Sequence, residues 1–279
     1  MSQNNICLPY FDKLLEQFRQ GDAETLQAFG RHVHWGYWEN PKTADGTVSD
    51  FAAAAEQLCR RVCDAGGVKD SIRLLDAGCG FGGTVASLNE RFSNMALVGI
   101  NIDERQLNRA RAEVEPTNSN NIEFVQGDAC QLPFEDASFD VVLAVECIFH
   151  FPSRERFFQE AKRVLKPGGK LALSDFVPLP LTYQLMNFVG QVIQSPVGQT
   201  YGQVDSRFTL NDYRKLAKDT GFIVTQEEDI TKQTLPTYPV VKRIFGQMGG
   251  RVDEKATAEV ELASSLGLLR YLILSFQSV

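Results

Sequence analysis

The chain has 279 residues, 43% of them hydrophobic, and a formal net charge of −7. That size supports one large core with room for an appended cap. The acidic balance argues against nucleic acid as a partner, and no apolar run reaches the roughly 18 residues that a membrane-spanning helix needs.

Taken in chain order, the opening MSQNNICLPYFDKLLEQF carries no basic stretch followed by an apolar one, so no secretory signal is expected. Residues 9–29 read as helical, with Phe11, Leu14, Leu15, Phe18 and Leu26 at the apolar positions. RHVHWGYWENPKTADGT follows, rich in aromatics and turn formers. A helix over 49–65 comes next, with Ser49 as its cap and Gly66-Gly67 as its end. Residues 1–68 are thus expected to form an N-terminal helical cap, and 69–279 a catalytic domain. Short apolar strands are predicted at 72–76, 96–100, 122–126, 139–145 and 170–176, alternating with helices at 83–91, 104–114 and 154–165. Lys166-Pro167-Gly168-Gly169 stops the last helix. This rhythm predicts an α/β fold with a doubly wound, mostly parallel sheet. A helix capped by Thr209 and ended by Gly221 follows, then strands at 222–228 and 270–277. These bring the sheet to seven strands, the last expected antiparallel at its edge. Insertions near 178–208 and 233–268 are expected as lids over the carboxyl ends of the strands, where open α/β sheets bind ligands.

The first strand runs into LLDAGCGFGG. Gly78, Gly80 and Gly82 carry no Cβ, so they allow a tight turn and let a ligand touch the backbone where a helix presents its free N–H groups. From the residues alone two readings stand: a plain strand-to-helix turn, or a cradle for a nucleotide-like cofactor. The spacing differs from the GxGxxG of dinucleotide sites, and Asp76 suits a cationic amino group better than a pyrophosphate. Over residues 70–176 four motifs in order, LLDAGCGFGG, VGINID, QGDACQLPFEDASFDVV and RVLKPGGKLALSDF, resemble the class I S-adenosylmethionine-dependent methyltransferases. The resemblance implies S-adenosylmethionine as cofactor. Asp76 would hold its methionine end, Gly78, Gly80 and Gly82 would line its path, and Asp128 with the Ala129 N–H would meet its adenine. Where the family usually places a ribose-binding acid this chain has Asn101, which bonds a hydroxyl without charge, and Gln106 is expected to share that work. Asp128, beside Gly127, also reads as a turn former.

His150 lies just beyond the fourth strand in AVECIFHFPSRERF, and Asp175 ends the fifth in LALSDF. With those strands adjacent, Asp175 is expected to orient His150 as a general base. This layout is similar to that of small-molecule O-methyltransferases acting on sugars of natural products; a capping or loop histidine is the other reading. Glu146 is a substrate-pocket candidate, open to a hydroxyl, a cation or the cofactor. HVHWGYWE resembles family segments that fold over the cofactor. Tyr37 and Trp38 are expected there, their faces attracting a sulfonium, unless the segment merely staples the N-terminal helices. His34 ranks behind His150 as a catalytic candidate. Phe176, Phe188, Tyr201, Phe208 and Tyr238 point to a partly apolar, lidded pocket, with Phe176 and Phe208 as substrate contacts. Arg207 and Lys242 either steer an anionic substrate or are solvated surface. The six cysteines are scattered, without zinc-like spacing, which points to a reducing cytoplasm and no metal site. The expectation is an enzyme that transfers a methyl group in line to a hydroxyl of a sugar, cyclitol or related natural product. Carbon or nitrogen methylation of a prenyl lipid or amine is the alternative. A small molecule is the expected partner, and the assembly a monomer or homodimer.

Overall fold

The computed structural model describes residues 8–180, 196–205 and 207–279. Strands β1 (Arg73–Ala77), β2 (Ala96–Asn101), β3 (Asn121–Gln126), β4 (Phe139–Val145), β5 (Leu165–Pro178), β6 (Phe222–Asp229) and β7 (Leu269–Ser278) form one sheet in the order β3-β2-β1-β4-β5-β7-β6. β1 to β5 are parallel. The strand order reverses between β1 and β4, so the crevice beyond their carboxyl ends is the place where such sheets hold ligands. The doubly wound, seven-stranded architecture is the one the sequence rhythm predicts. The C-terminal strand, however, is not at the edge: β7 lies antiparallel between β5 and β6. Its burial explains the position. Tyr271 to Phe276 are all buried, as an interior strand demands, whereas β6 beyond Phe222 alternates exposed and half-buried residues and takes the edge.

The pleat sends alternate residues to two cores. Leu74 faces the side covered by α3 (Val48–Ala65), and Leu75 the side covered by α6 (Arg154–Val164). The N-terminal helical region is two helices, α1 (Pro9–Gln20) and α2 (Ala23–Phe29), because Gly21 turns left-handed and Asp22 caps the second. The cap of α3 is Thr47, two residues before the expected Ser49. α4 (Gly83–Arg91) and α5 (Glu104–Glu113) follow β1 and β2. The Lys-Pro-Gly-Gly segment sits where the β4–β5 register shifts, inside a strand longer than expected.

After β5 come α7 (Pro196–Tyr201) and α8 (Leu210–Asp219), the latter with the capping box of Thr209 and Asp212. Between β6 and β7 lie α9 (Thr231–Thr234), α10 (Thr237–Gly249) and α11 (Arg251–Ser265). α1, α7 and α11 are fastened together: the buried Asp253 carboxylate accepts the Thr200 hydroxyl at 2.7 Å and pairs with the Lys13 ammonium. Among the described residues no helix is long and apolar enough to cross a membrane.

Candidate active site

Two adjoining hollows occupy the crevice. The first is built on the glycine turn. Asp76, at the end of β1, is fully buried, and its Oδ2 has no hydrogen-bond partner among the described residues. Burial pushes its carboxyl up to about 7, with the Thr84 hydroxyl pulling the other way. Gly78 has φ 76°, and a Cβ there would lie 2.8 Å from the Cys147 sulfur. The bare backbone is therefore required by the fold as well as by any ligand. Asn101 and Gln106 hydrogen-bond each other at 2.9 Å and face the same cleft as Asp76, Gly78 and Gly80. Asp128 and Ala129 line a side hollow of about 300 Å³ that shares Gly78, Asn101 and Ile102 with the main cleft. Asp128 also accepts the Cys130 N–H at 2.8 Å, so its turn-forming role holds too.

These residues fit S-adenosylmethionine. An orphaned buried carboxylate oxygen suits an ammonium group, and the cleft continues into the hollow beside Asp128 that suits a purine. Gly82, expected along the cofactor's path, is instead the left-handed cap of α4, where a Cβ would lie 3.0 Å from Ala110 and Phe124, and it is not among the residues around the cleft. Gly83 does. A Cβ there would lie 2.2 Å from the Arg31 carbonyl oxygen, because the 31–35 segment crosses the start of α4.

The second hollow encloses about 1050 Å³, counting its mouth, and is walled by Phe29, Trp35, Phe149, Phe176, Tyr201 and Phe245 among others. Tyr10, Val33, His34, Glu146 and His150 line both hollows and form the wall between them. His150 Nδ1 lies 3.1 Å from the Gln203 carbonyl oxygen. A carbonyl only accepts, so Nδ1 carries the proton and Nε2 is the acceptor, here 3.3 Å from the Tyr10 hydroxyl. Burial lowers the imidazole to about 4; the Gln203 bond opposes this and the Arg154 charge adds to it. His150 is thus neutral at neutral pH.

Glu146 has φ 50°, a left-handed backbone unusual for a side-chain-bearing residue at a strand end. Its N–H donates to Ser174 Oγ at 3.0 Å, and its Oε2 accepts the Trp35 N–H at 2.9 Å and the Tyr271 hydroxyl. Burial pushes this carboxyl up to about 8, against both hydrogen bonds.

The expected His150–Asp175 pair does not form. Asp175 is engaged elsewhere: it bonds Arg154 at 3.1 Å, the Tyr213 hydroxyl, and the Phe176 N–H at 2.8 Å. The buried guanidinium of Arg154 requires a counter-charge, and among the described residues Asp175 and Asp205 supply it. Tyr37 and Trp38 are not over the cofactor cleft. Trp38 donates its indole N–H to Asp50 at 2.9 Å, and the Arg61 guanidinium covers the Tyr37 ring at 5.2 Å. The segment's contribution to the site comes from residues 31–35 instead. Phe208 packs on Tyr213 at 4.8 Å and on Arg154, away from the apolar hollow. Phe176 and Tyr201 do line that hollow, and Tyr238 stands behind Trp35, 5.8 Å between ring centres. Phe188 lies outside the described residues. Arg207 and Lys242 are paired with Asp205 and Glu261, which leaves neither as a dedicated steering charge.

Sequence reading missed Tyr10, Trp35, Ser174, Gln203 and Tyr271. Each reaches the site through a long-range contact, and no local spacing marks them.

Comparison with known proteins fits this geometry. A family profile described as "Methyltransferase domain" matches residues 75–173. "Methyltransferase GfsG" of Streptomyces halstedii is 31% identical over 242 residues, covering 86% of this chain and 84% of that protein. "27-O-demethylrifamycin SV methyltransferase" of Amycolatopsis mediterranei is 32% identical, with 76% of this chain and 74% of that protein covered. In fold, the chain is similar to geranyl diphosphate C-methyltransferase from Streptomyces coelicolor A3(2), solved with Mg2+, geranyl diphosphate and S-adenosyl-L-homocysteine. The TM-score is 0.75 at 18% identity, over 98% of this chain and 99% of that one.

Proposed function

The chain belongs to the class I S-adenosylmethionine-dependent methyltransferases, and from that premise we propose that it methylates a hydroxyl of a bulky, mostly apolar natural product. The observation that carries this reading is the apolar hollow whose few polar side chains gather at the wall it shares with the cofactor cleft. A bare sugar or cyclitol would bring many hydroxyls against aromatic walls, each costing free energy unless bonded. A polyketide-like or aromatic body carrying a hydroxyl is the better match. A relative named for O-methylation of a rifamycin supports the same class.

When bound, S-adenosylmethionine supplies an electrophilic methyl group on a sulfonium. The protein's part is to bind, orient and take a proton. Asp76 holds the ammonium end, and Asn101 with Gln106 takes the ribose. Asp128 and Ala129 meet the adenine. Of the N-terminal region, Tyr10 and the 31–35 segment act as the cap over the two hollows. The acceptor hydroxyl would replace the Tyr10 hydroxyl at His150 Nε2, and the imidazole would take its proton as the O–CH3 bond forms and the sulfonium S–CH3 bond breaks, leaving a neutral thioether. The Gln203 carbonyl, rather than Asp175, fixes the tautomer. The apolar walls also favour a second reading, carbon methylation of a prenyl chain.

Incubation with methyl-labelled S-adenosylmethionine and a panel of apolar phenols and alcohols, free sugars, prenyl lipids and amines separates these. Label is expected in the apolar alcohols or phenols. Label confined to sugars or to amines would overturn the acceptor class, and label confined to prenyl lipids would establish the second reading.

A further inference from the structure

His34 stands in the wall between the two hollows and takes no part in the reaction described above. Its Nδ1 lies 2.9 Å from the Trp35 carbonyl oxygen, so Nδ1 carries the proton and Nε2 is a bare acceptor. The residue is 5% exposed, and Nε2 has no hydrogen-bond partner among the described residues. Burial, reinforced by the neighbouring His32, lowers the imidazole to about 3, so it stays neutral. A buried acceptor left without a donor destabilises a fold, so one at the wall of a hollow calls for a donor there.

The position narrows what the donor is. Arg31 and His32 line only the cofactor cleft, Trp35 lines only the apolar hollow, and His34 lines both. In the cofactor cleft, the unpaired Asp76 oxygen already answers the ammonium. The reacting hydroxyl has a single proton, which goes to His150. The apolar hollow offers a second polar group on the acceptor few other partners, which makes such a group the donor that His34 suits. We propose that His34 is a specificity-determining residue whose Nε2 accepts a hydrogen bond from a second O–H or N–H of the methyl acceptor, so that the site selects acceptors with two such groups over acceptors with one. This rests on the hydroxyl-methylation reading and adds the substrate's second polar group to it.

Calorimetry on the full chain saturated with S-adenosylhomocysteine tests it, with 1,5-dihydroxynaphthalene and 1-naphthol as probes. The diol is expected to bind wild type about fivefold more tightly, the ratio one net hydrogen bond gives. In His34→Phe the order is expected to reverse, because the second hydroxyl then meets only apolar walls; His34→Gln, which keeps an acceptor, retains part of the preference. Should His34→Phe not fold, wild-type protein labelled with 15N-histidine gives the same answer: the His34 Nε2 resonance moves with the diol and not with 1-naphthol. Tighter binding of 1-naphthol by wild type, a diol preference that survives in His34→Phe, an unmoved resonance, or no binding of either probe overturns the proposal. Methyl transfer is read separately: a His34-dependent diol preference without transfer to any hydroxyl overturns the proposed reaction alone.

Discussion

At the scale of single residues, the site separates groups that touch the reacting atoms from groups that hold the frame. On the proposed reaction, His150→Ala is expected to lower kcat by roughly 10²–10⁴-fold while S-adenosylmethionine affinity changes little, because the role proposed for His150 is to take the hydroxyl proton. Asp175→Asn discriminates between the two views of Asp175. It removes a charge from the buried Arg154–Asp175–Tyr213 cluster, so denaturant unfolding should show a loss of about 3 kcal/mol, with kcat of the folded enzyme nearly intact. A His–Asp dyad would instead lower kcat at unchanged stability. Asp76 gives the pH prediction. Burial pushes its carboxyl up to about 7, and the proposed pairing with the ammonium group requires the ionised form. Below pH 7 the proton must leave on binding, so Kd for S-adenosylmethionine should rise about tenfold per pH unit. Asp76→Asn should weaken binding and remove that slope; a flat profile in wild type would contradict the role given to Asp76.

At the scale of elements, the joint between the 31–35 segment and the start of α4 governs the cofactor cleft. Gly83→Ala would set a methyl group 2.2 Å from the Arg31 carbonyl. The roof must lift, so S-adenosylmethionine binding is expected to weaken at least about tenfold, with a lower Tm. Unchanged affinity would mean that the segment is no part of the cleft. This joint also shows what the sequence can and cannot reveal. The glycine turn, the alternating strands and helices, and the placement of Asp76, Asn101 and Asp128 were legible because each depends on local spacing. The aromatic segment was legible only as an aromatic segment. Which of its rings faces the cleft depends on how the chain crosses α4, and the Trp38–Asp50 and Tyr37–Arg61 contacts turn those two rings away. The Arg154 pairing of Asp175 was not legible for a related reason. Strand adjacency brings it to the right edge of the sheet, but Arg154 competes for it, and no pattern in the sequence marks that pairing.

For the whole molecule, β7 entering between β5 and β6 carries Tyr271 to the Glu146 carboxylate, joining the last strand to the wall between the two hollows. α1, α7 and α11 close the apolar hollow from the other side, fastened by Lys13, Thr200 and Asp253. The apolar hollow is therefore closed by residues far apart in the chain, which is why the chemical class of the proposed acceptor was the part of the function least visible in any one motif. The most direct test of the account is the atom that receives the methyl group. With S-adenosylmethionine carrying a 13C-methyl label and an acceptor drawn from apolar phenols and alcohols, the product's 13C spectrum should show the label as a methoxy carbon. A label found as a carbon-bound or nitrogen-bound methyl would contradict hydroxyl methylation.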